Sequence, residues 1–574
     1  MLRLRWQIRK LGGILAVSWG ISVLVIAISS TGVLQSLEWF AFDRFLRWKA
    51  TDQTESRFLI VTLGEEDLRE IGEWPISDQK MADLLTTIQQ YQPRLIGLDI
   101  YRDLPVGEGR EELISSFNAV SNVIGVEKVI GEAVPPAPEL DMENQVAMAD
   151  LVEDDDGRIR RGLLAIQCNK ERKLCKPEEH QQRKYGLATK LALLYLEQEN
   201  IHPQVLEGDR LQLGDAVFQQ FSPNDGGYTN ADAHSTQILI NYPAGQSFFE
   251  SVSVSEILGG NVARSKIYDR IILIGATAVS LNDLLYTPMS WDERLPGVFI
   301  HAHIASQLIA SALDGRQPLH GAPPWMKSSW LLVATSLATL LVHEIINHNG
   351  IYQKKSLFSL ILFIPCIGAG MVGIVYGVFL TGLWLPIAAP LLSTSLSSTV
   401  LLLRQNQQLQ GLASLDGLTR IANRRSFDAY LQRCINQQTP VSLVICDVDY
   451  FKRYNDTYGH QEGDKCLISV AKTLQQGVRR NDFVARYGGE EFVIVLPNAE
   501  LSMAYEVLGN IQQQISKLNI PHVASDVSSH VTLSFGVISL SDLKEATSKS
   551  LVEQADKALY QAKRQGRNQI ATLS

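Results

Sequence analysis

Between Ser356 and Leu403 the chain runs for 48 residues without a charged side chain. Drawn as one helix, that stretch would be about 72 Å long, against a hydrocarbon core of about 30 Å. It must therefore fold back. Gly377-Val378-Phe379-Leu380-Thr381-Gly382 is the natural place for the reversal, because glycine tolerates turn conformations. Membrane helices are expected over 356–378 and 382–403, with Pro365, Pro386 and Pro390 tolerable inside them.

Two more apolar stretches extend the pattern. Leu11 to Leu34 is uncharged for 24 residues and follows Arg3, Arg5, Arg9 and Lys10. Basic flanks stay in the cytoplasm, so 1–10 is expected inside and 11–34 across the membrane. The run is longer than a usual signal-peptide core and shows no clear small-x-small cleavage site. Ser328 to Val342, edged by Trp325, Lys327 and Trp330, is expected at the centre of a span over 326–346. Four transmembrane helices put 35–325 outside, the loop bearing Lys354 and Lys355 inside, and everything after 404 inside.

A chain of 574 residues with net charge −9 holds several domains and lacks the basic face of a nucleic-acid binder. Cys168 and Cys175 fall outside, where an oxidising compartment permits a disulfide. Cys366 falls in the membrane, while Cys434, Cys446 and Cys466 lack metal-ligand spacing and read as core residues.

The outer region alternates strand-like and helix-like segments. Phe58 to Leu63, Arg94 to Asp99, Ile238 to Ile240 and Ile271 to Gly275 read as strands, and Gln79 to Tyr91 has helical spacing. An α/β fold with a largely parallel sheet is expected. Gly275-Ala276-Thr277 reads as a strand-end turn in preference to an anion cradle, and His301 with His303 is too sparse for a metal site.

The inner region carries the densest chemistry. Arg486-Tyr487-Gly488-Gly489-Glu490-Glu491-Phe492 lies between apolar runs and reads as a β-hairpin with carboxylates at its tip. Upstream, the strand-like Val441 to Cys446 ends in Asp447-Val448-Asp449, followed by Phe451-Lys452, Asn455-Asp456 and Gly459 to Asp464. Asp416-Gly417-Leu418-Thr419 and Asn423-Arg424-Arg425 precede these, and Asp556 to Tyr560, Lys563 and Gly566-Arg567-Asn568 follow. Together these motifs resemble the GGDEF family of diguanylate cyclases. Residues 35–325 resemble a type-two CHASE extracytoplasmic sensor domain, through Gly72 to Pro75, Gly97 to Tyr101, Asp156 to Arg161, Ile274 to Thr277, Asp283 with Thr287-Pro288, and Pro296 to Val298 with His301-Ala302.

The resemblance implies a bacterial inner-membrane protein with an α/β sensor outside. Inside follow a linker helix over 404–415 and an α+β nucleotidyl-cyclase-like GGDEF domain over 416–574. It implies condensation of two GTP into cyclic di-GMP, with Mg²⁺ or Mn²⁺ held by Asp447, the Val448 carbonyl and Glu490. Glu490 or Glu491 would assist deprotonation, their roles undivided. Asn455 and Asp464 would read guanine, and Lys452, Lys563 and Arg567 would hold phosphates, the last two being i, i+4 on one helix face. Arg479 and Asp482 resemble the family's inhibitory product site. A homodimer is implied, since one domain holds one GTP. The sensor's signal is not named by any residue. The alternative, an idle cyclic di-GMP receptor or scaffold, is opposed by intact Asp447, Asn455, Asp464, Glu490 and Glu491.

Overall fold

The computed structural model describes residues 2–51, 53–72, 74–168, 183–207, 210–281, 283–290, 294–348, 355–412, 414–437, 440–540 and 547–573. Two compact units result, Met1–Leu401 and Leu402–Ser574.

At the centre of the first unit is a six-stranded sheet, in the spatial order Phe249–Ser253, Glu55–Leu63, Ile271–Ala276, Leu95–Asp99, Val123–Glu127 and Val146–Met148. Every neighbouring pair is parallel, as expected. Strands covered on both faces read as unbroken apolar runs. Phe58 and Ile60 accordingly enter one core, with helices Leu187–Gln198 and Gly297–Leu313. Leu59 and Val61 enter the other, with helices Asp78–Gln90, Arg110–Ala119 and Val254–Leu258. The segment expected at Ile238 is a strand, Thr236–Leu239, but of a separate antiparallel sheet with Arg161–Gln167 and Arg183–Tyr185.

The Asp156 to Arg161 motif is a staple. Arg160 is 1% exposed and donates Nε and Nη2 to the two oxygens of Asp43 at 2.8 and 2.9 Å, with Asp154 and Asp156 also in reach. It thereby ties helix Gln35–Lys49 to the sensor core. Gly275-Ala276-Thr277 is a plain turn: the Thr277 and Ala278 N–H groups donate to the Leu63 carbonyl at 2.9 and 3.1 Å, so neither is free for an anion. Cys168 is disulfide-bonded; its expected partner, Cys175, lies outside the described residues. Cys434, Cys446 and Cys466 are free and buried.

Among the described residues two helices are long and apolar enough to cross a membrane, Leu11–Ser29 and Pro324–Ile345. The long uncharged stretch does reverse. Helix Lys355–Leu380 runs through Gly377, Gly382 turns with φ +93°, and Leu383–Trp384 pairs with His320–Gly321 before helix Ala388–Leu412 begins. The helix expected to start at 382 therefore starts at Ala388. Trp384 holds the chain extended there: it is fully buried, 4.5 Å from the Phe42 ring and 5.7 Å from Tyr228. Glu38, 3% exposed, accepts the N–H of Ile387 at 2.7 Å and of Ala389 at 3.1 Å, capping that last helix. Most of the loop expected to carry Lys354 lies outside the described residues.

The second unit holds another six-stranded sheet, in the order Ala422–Asn423, Phe483–Gly488, Glu491–Pro497, Val441–Val448, Leu533–Leu540 and Ile570–Thr572. Its inner pairs are antiparallel and its two outermost parallel. Val444 and Cys446 pack on helices His460–Gln476 and Leu501–Lys517, while Leu443 and Ile445 pack on Arg424–Asn436 and Ser548–Arg564. The α+β expectation holds.

Candidate active site

Burial on both faces makes Val441–Val448 the rigid centre of the sheet and delivers Asp447 at its end. Asp447 stands opposite Glu491 on one neighbour and Ser534 on the other. The hairpin turns through Gly488 and Gly489, the latter at φ +23°, where a side chain would be strained. Glu490 and Glu491, half-buried, follow at the tip. The Val448 N–H reaches the Glu490 carbonyl at 3.4 Å, so strand end and tip are neighbours.

Asp447 is 8% exposed, and burial pushes its carboxyl up to about 6. Lys563 opposes this from 3.0 Å, while Glu490 and Glu491 add to the rise. An ammonium thus stands where the carboxylates attract a cation. Among the described residues no three His, Cys, Asp or Glu side chains converge as a metal cage. One or two carboxylates completed by substrate phosphates is the usual Mg²⁺ arrangement, and this donor set fits it.

Asp449 does something different from Asp447. It is 1% exposed and accepts hydrogen bonds from Thr532 Oγ1 at 2.8 Å, Ser534 Oγ at 2.6 Å and the Asn568 N–H at 3.1 Å. It anchors the segment after the last helix. That segment corrects one expectation. Helix Ser548–Arg564 ends before Arg567, Gly566 has φ +120° and Arg567 φ +64°, so Lys563 and Arg567 share no helix face. Instead Arg567 lies 4.2 Å over the Tyr450 ring and donates to its hydroxyl at 3.0 Å. Glycine just past a basic last turn was the available stop signal.

Asn455 sits on helix Phe451–Tyr458, and its enclosed Oδ1 has no hydrogen-bond partner. A Cβ at Gly463 would come within 1.9 Å of that oxygen, so glycine makes room for it. Asp464, next in sequence, is exposed, as is Lys452. An orphaned acceptor suits a ligand edge carrying N–H donors. Arg479 and Asp482 form a turn: the Arg479 N–H donates to Asp482 Oδ2 at 2.7 Å, leaving the exposed guanidinium outward.

Sequence reasoning missed Arg486 as a site residue. It donates Nε and Nη2 to the Gly489 carbonyl at 3.0 and 2.7 Å, and Nη1 to Asp416 Oδ1 at 3.1 Å. Asp416 also accepts from the Thr419 N–H and hydroxyl. The hairpin tip is therefore braced to the domain's first turn. His301 and His303 are brought to no common site: two positions apart on a helix they point roughly 200° apart, and His303 is enclosed by Tyr242, Phe248 and Phe249.

Comparison with known proteins agrees with this architecture. The CHASE2 domain family model matches residues 20–341, and the diguanylate cyclase, GGDEF domain model matches 413–569. Diguanylate cyclase A of Treponema denticola is 38% identical over 177 residues, covering 29% of this chain and 46% of that protein. Diguanylate cyclase VdcA of Vibrio cholerae is 36% identical over 170 residues, covering 29% and 50%. The chain thus spans about half the length of these curated relatives. The coiled coil and GGDEF domain of DgcB from Caulobacter crescentus, solved in complex with c-di-GMP, is 32% identical, covers 32% of this chain and 97% of that one, and has a TM-score of 0.29. The chain belongs to the CHASE2 domain family and carries, toward its C-terminus, a GGDEF domain of the diguanylate cyclase type.

Proposed function

We propose that this protein is a membrane-bound sensory diguanylate cyclase, condensing two GTP into cyclic di-GMP and two pyrophosphates. The observation that carries the reading is Asp447 fixed at the end of the central strand beside the Glu490-Glu491 tip, with Lys563 already paired to it. Asp447, the Val448 carbonyl and Glu490 would hold Mg²⁺, or Mn²⁺, which when bound neutralises the triphosphate and lowers the pKa of the attacking 3′-hydroxyl. Lys563 then exchanges Asp447 for phosphate oxygens, and Lys452 adds charge from the neighbouring helix. Arg567 meets phosphate from its seat on Tyr450. Asn455 Oδ1 and Asp464 accept from guanine N1–H and N2–H₂, which adenine cannot offer in that pattern. Glu490 or Glu491 takes the hydroxyl proton. Each domain presents one GTP, so a two-fold homodimer brings the two half-sites together.

Four membrane spans, with the N-terminus and cyclase domain in the cytoplasm of a bacterial inner membrane, supply the setting; the two long apolar helices and the reversing uncharged stretch support it. Product inhibition through Arg479 and Asp482 completes the proposal, supported by the exposed guanidinium beside a carboxylate-closed turn.

The test is turnover by the full chain in detergent with GTP and Mg²⁺. Cyclic di-GMP and pyrophosphate are expected from GTP and not from ATP, with Glu490→Gln slower by at least about 100-fold. A dimeric protein that binds cyclic di-GMP but never turns over GTP would replace this reading with the receptor.

A further inference from the structure

The parallel sheet of the first unit leaves one crevice that the cyclase chemistry does not use. Strands Leu95–Asp99 and Ile271–Ala276 are neighbours, yet the chain leaves them for opposite faces. After Asp99 it reaches helix Arg110–Ala119, whose Leu113 and Phe117 belong to one core. After Ala276 it reaches helix Gly297–Leu313, whose Val298 and Ile304 belong to the other. Diverging connections open a cleft at the carboxyl ends of the strands, the place where open α/β sheets bind ligands. A cavity of about 360 Å³ lies there, lined by Trp74, Asp99, Tyr101, Asp283 and His301 among others, a size suited to a small molecule.

Its chemistry is one-sided. Asp99 accepts no hydrogen bond among the described residues, and burial pushes it up to about 7. Burial first, and the Asp99 carboxylate second, push Asp283 up to about 7. His301, 3% exposed, is driven down to about 4 by burial and stays neutral. Neither carboxyl has a Lys or Arg acting on it. A side chain at Gly297 would meet the Asp283 oxygens at 3.1 and 3.2 Å, so glycine leaves that carboxyl room. Trp74 and Tyr101 are 42% and 37% exposed, aromatic surface at the rim.

We infer that this cavity binds a small organic cation, its ammonium seated between Asp99 and Asp283 and its aliphatic part against Trp74 and Tyr101. Half-buried carboxylates with no Lys or Arg beside them are costly, and an ammonium supplies both the charge and the N–H donors. Aromatic faces attract the same group. An anion would meet two carboxylates, and a bare metal ion lacks a convergent third ligand among the described residues.

The experiment is calorimetric titration of the full chain in detergent with 1,4-diaminobutane, using 1,4-butanediol and Mg²⁺ or Ca²⁺ as comparison probes. It reads binding, so it stands whether or not the chain turns over GTP. Saturable binding of the diamine and not the diol is expected, weakened at least about 10-fold by Asp99→Asn and by Asp283→Asn. Trp74→Leu, a rim change that spares the core, is expected to weaken binding about three-fold, and serves where an Asn variant does not fold. Equal binding of the diol, undiminished binding by the folded variants, saturation by a metal ion with the diamine excluded, or no saturable heat up to about 10 mM diamine would each overturn the inference.

Discussion

Asp447→Asn sets the two roles of one carboxylate against each other. The change keeps shape and removes charge. In the folded chain burial lifts this carboxyl from 3.8 to about 6, even with Lys563 at 3.0 Å. A carboxyl whose pKa rises on folding favours the folded state only while protonated. Its contribution is full below about pH 4 and is lost as pH climbs through about 6. At neutral pH the cost follows from 1.36 kcal/mol per decade, up to about 3 kcal/mol for this rise. The Asp447 side chain is 11% exposed, so water relieves little of it, and Lys563 at 29% is cheaply left alone. Asn should therefore stabilise the cyclase domain by on the order of 2 kcal/mol near pH 7.5, a melting shift of about 4–8 °C. The same variant should lose at least about 100-fold in kcat/KM. Calorimetric melts of the full chain at pH near 4 and near 7.5, paired with GTP turnover, measure both. The stability gain should vanish at the acid end. A variant less stable at neutral pH, or one that keeps its turnover, would refute the assignment of Asp447 as a charge held in place for chemistry.

Asp449→Ala should behave in the opposite way, costing up to about 3 kcal/mol because the buried acceptor of three hydrogen bonds is lost; melting of the cyclase domain checks it. Asp43→Ala should destabilise the sensor by about 3 kcal/mol, the low end for breaking a buried ion pair, since Asp154 and Asp156 still face Arg160; chemical denaturation followed by tryptophan fluorescence measures it. Reporter fusions near residue 200 should read outside, and those near 350 and at the C-terminus inside; a C-terminus outside would remove access to GTP. Arg479→Ala should keep basal turnover and relieve inhibition by added cyclic di-GMP, read from progress curves.

Much of this was legible because burial leaves a plain trace. Strands covered on both faces must be apolar throughout, so Phe58 to Leu63, Ile271 to Gly275 and Val441 to Cys446 announced themselves. The hairpin tip was legible for the complementary reason, that paired glycines and paired carboxylates have little structural use between apolar runs. What stayed hidden depended on where the chain stops being regular. The i, i+4 spacing of Lys563 and Arg567 assumed a helix that Gly566 ends. The late start at Ala388 is set by Trp384 seating between Phe42 and Tyr228, contacts 342 and 156 residues apart in sequence. Asp447 and Asp449 look alike in sequence and, two apart, would share one face of a continuous strand; the strand ends at Val448, so Asp449 leaves that pattern and meets Thr532 and Ser534 instead.

The cap that Glu38 places on the last apolar helix has a mechanical meaning. Ala388–Leu412 is 25 residues of uninterrupted helix, a rod about 37 Å long. Sharp bends in helices arise mostly at internal proline or glycine; here Pro390 lies in the first turn and Gly411 next to the end. Between those ends neither proline nor glycine interrupts it. Glu38 grips one end through two backbone N–H groups, and over the stretch to Leu401 a tilt of about 5° at that grip swings the helix by about 2 Å. Within the first unit, a small change at Glu38 is thus read as a larger displacement along the helix, with its own hydrogen bonding unchanged.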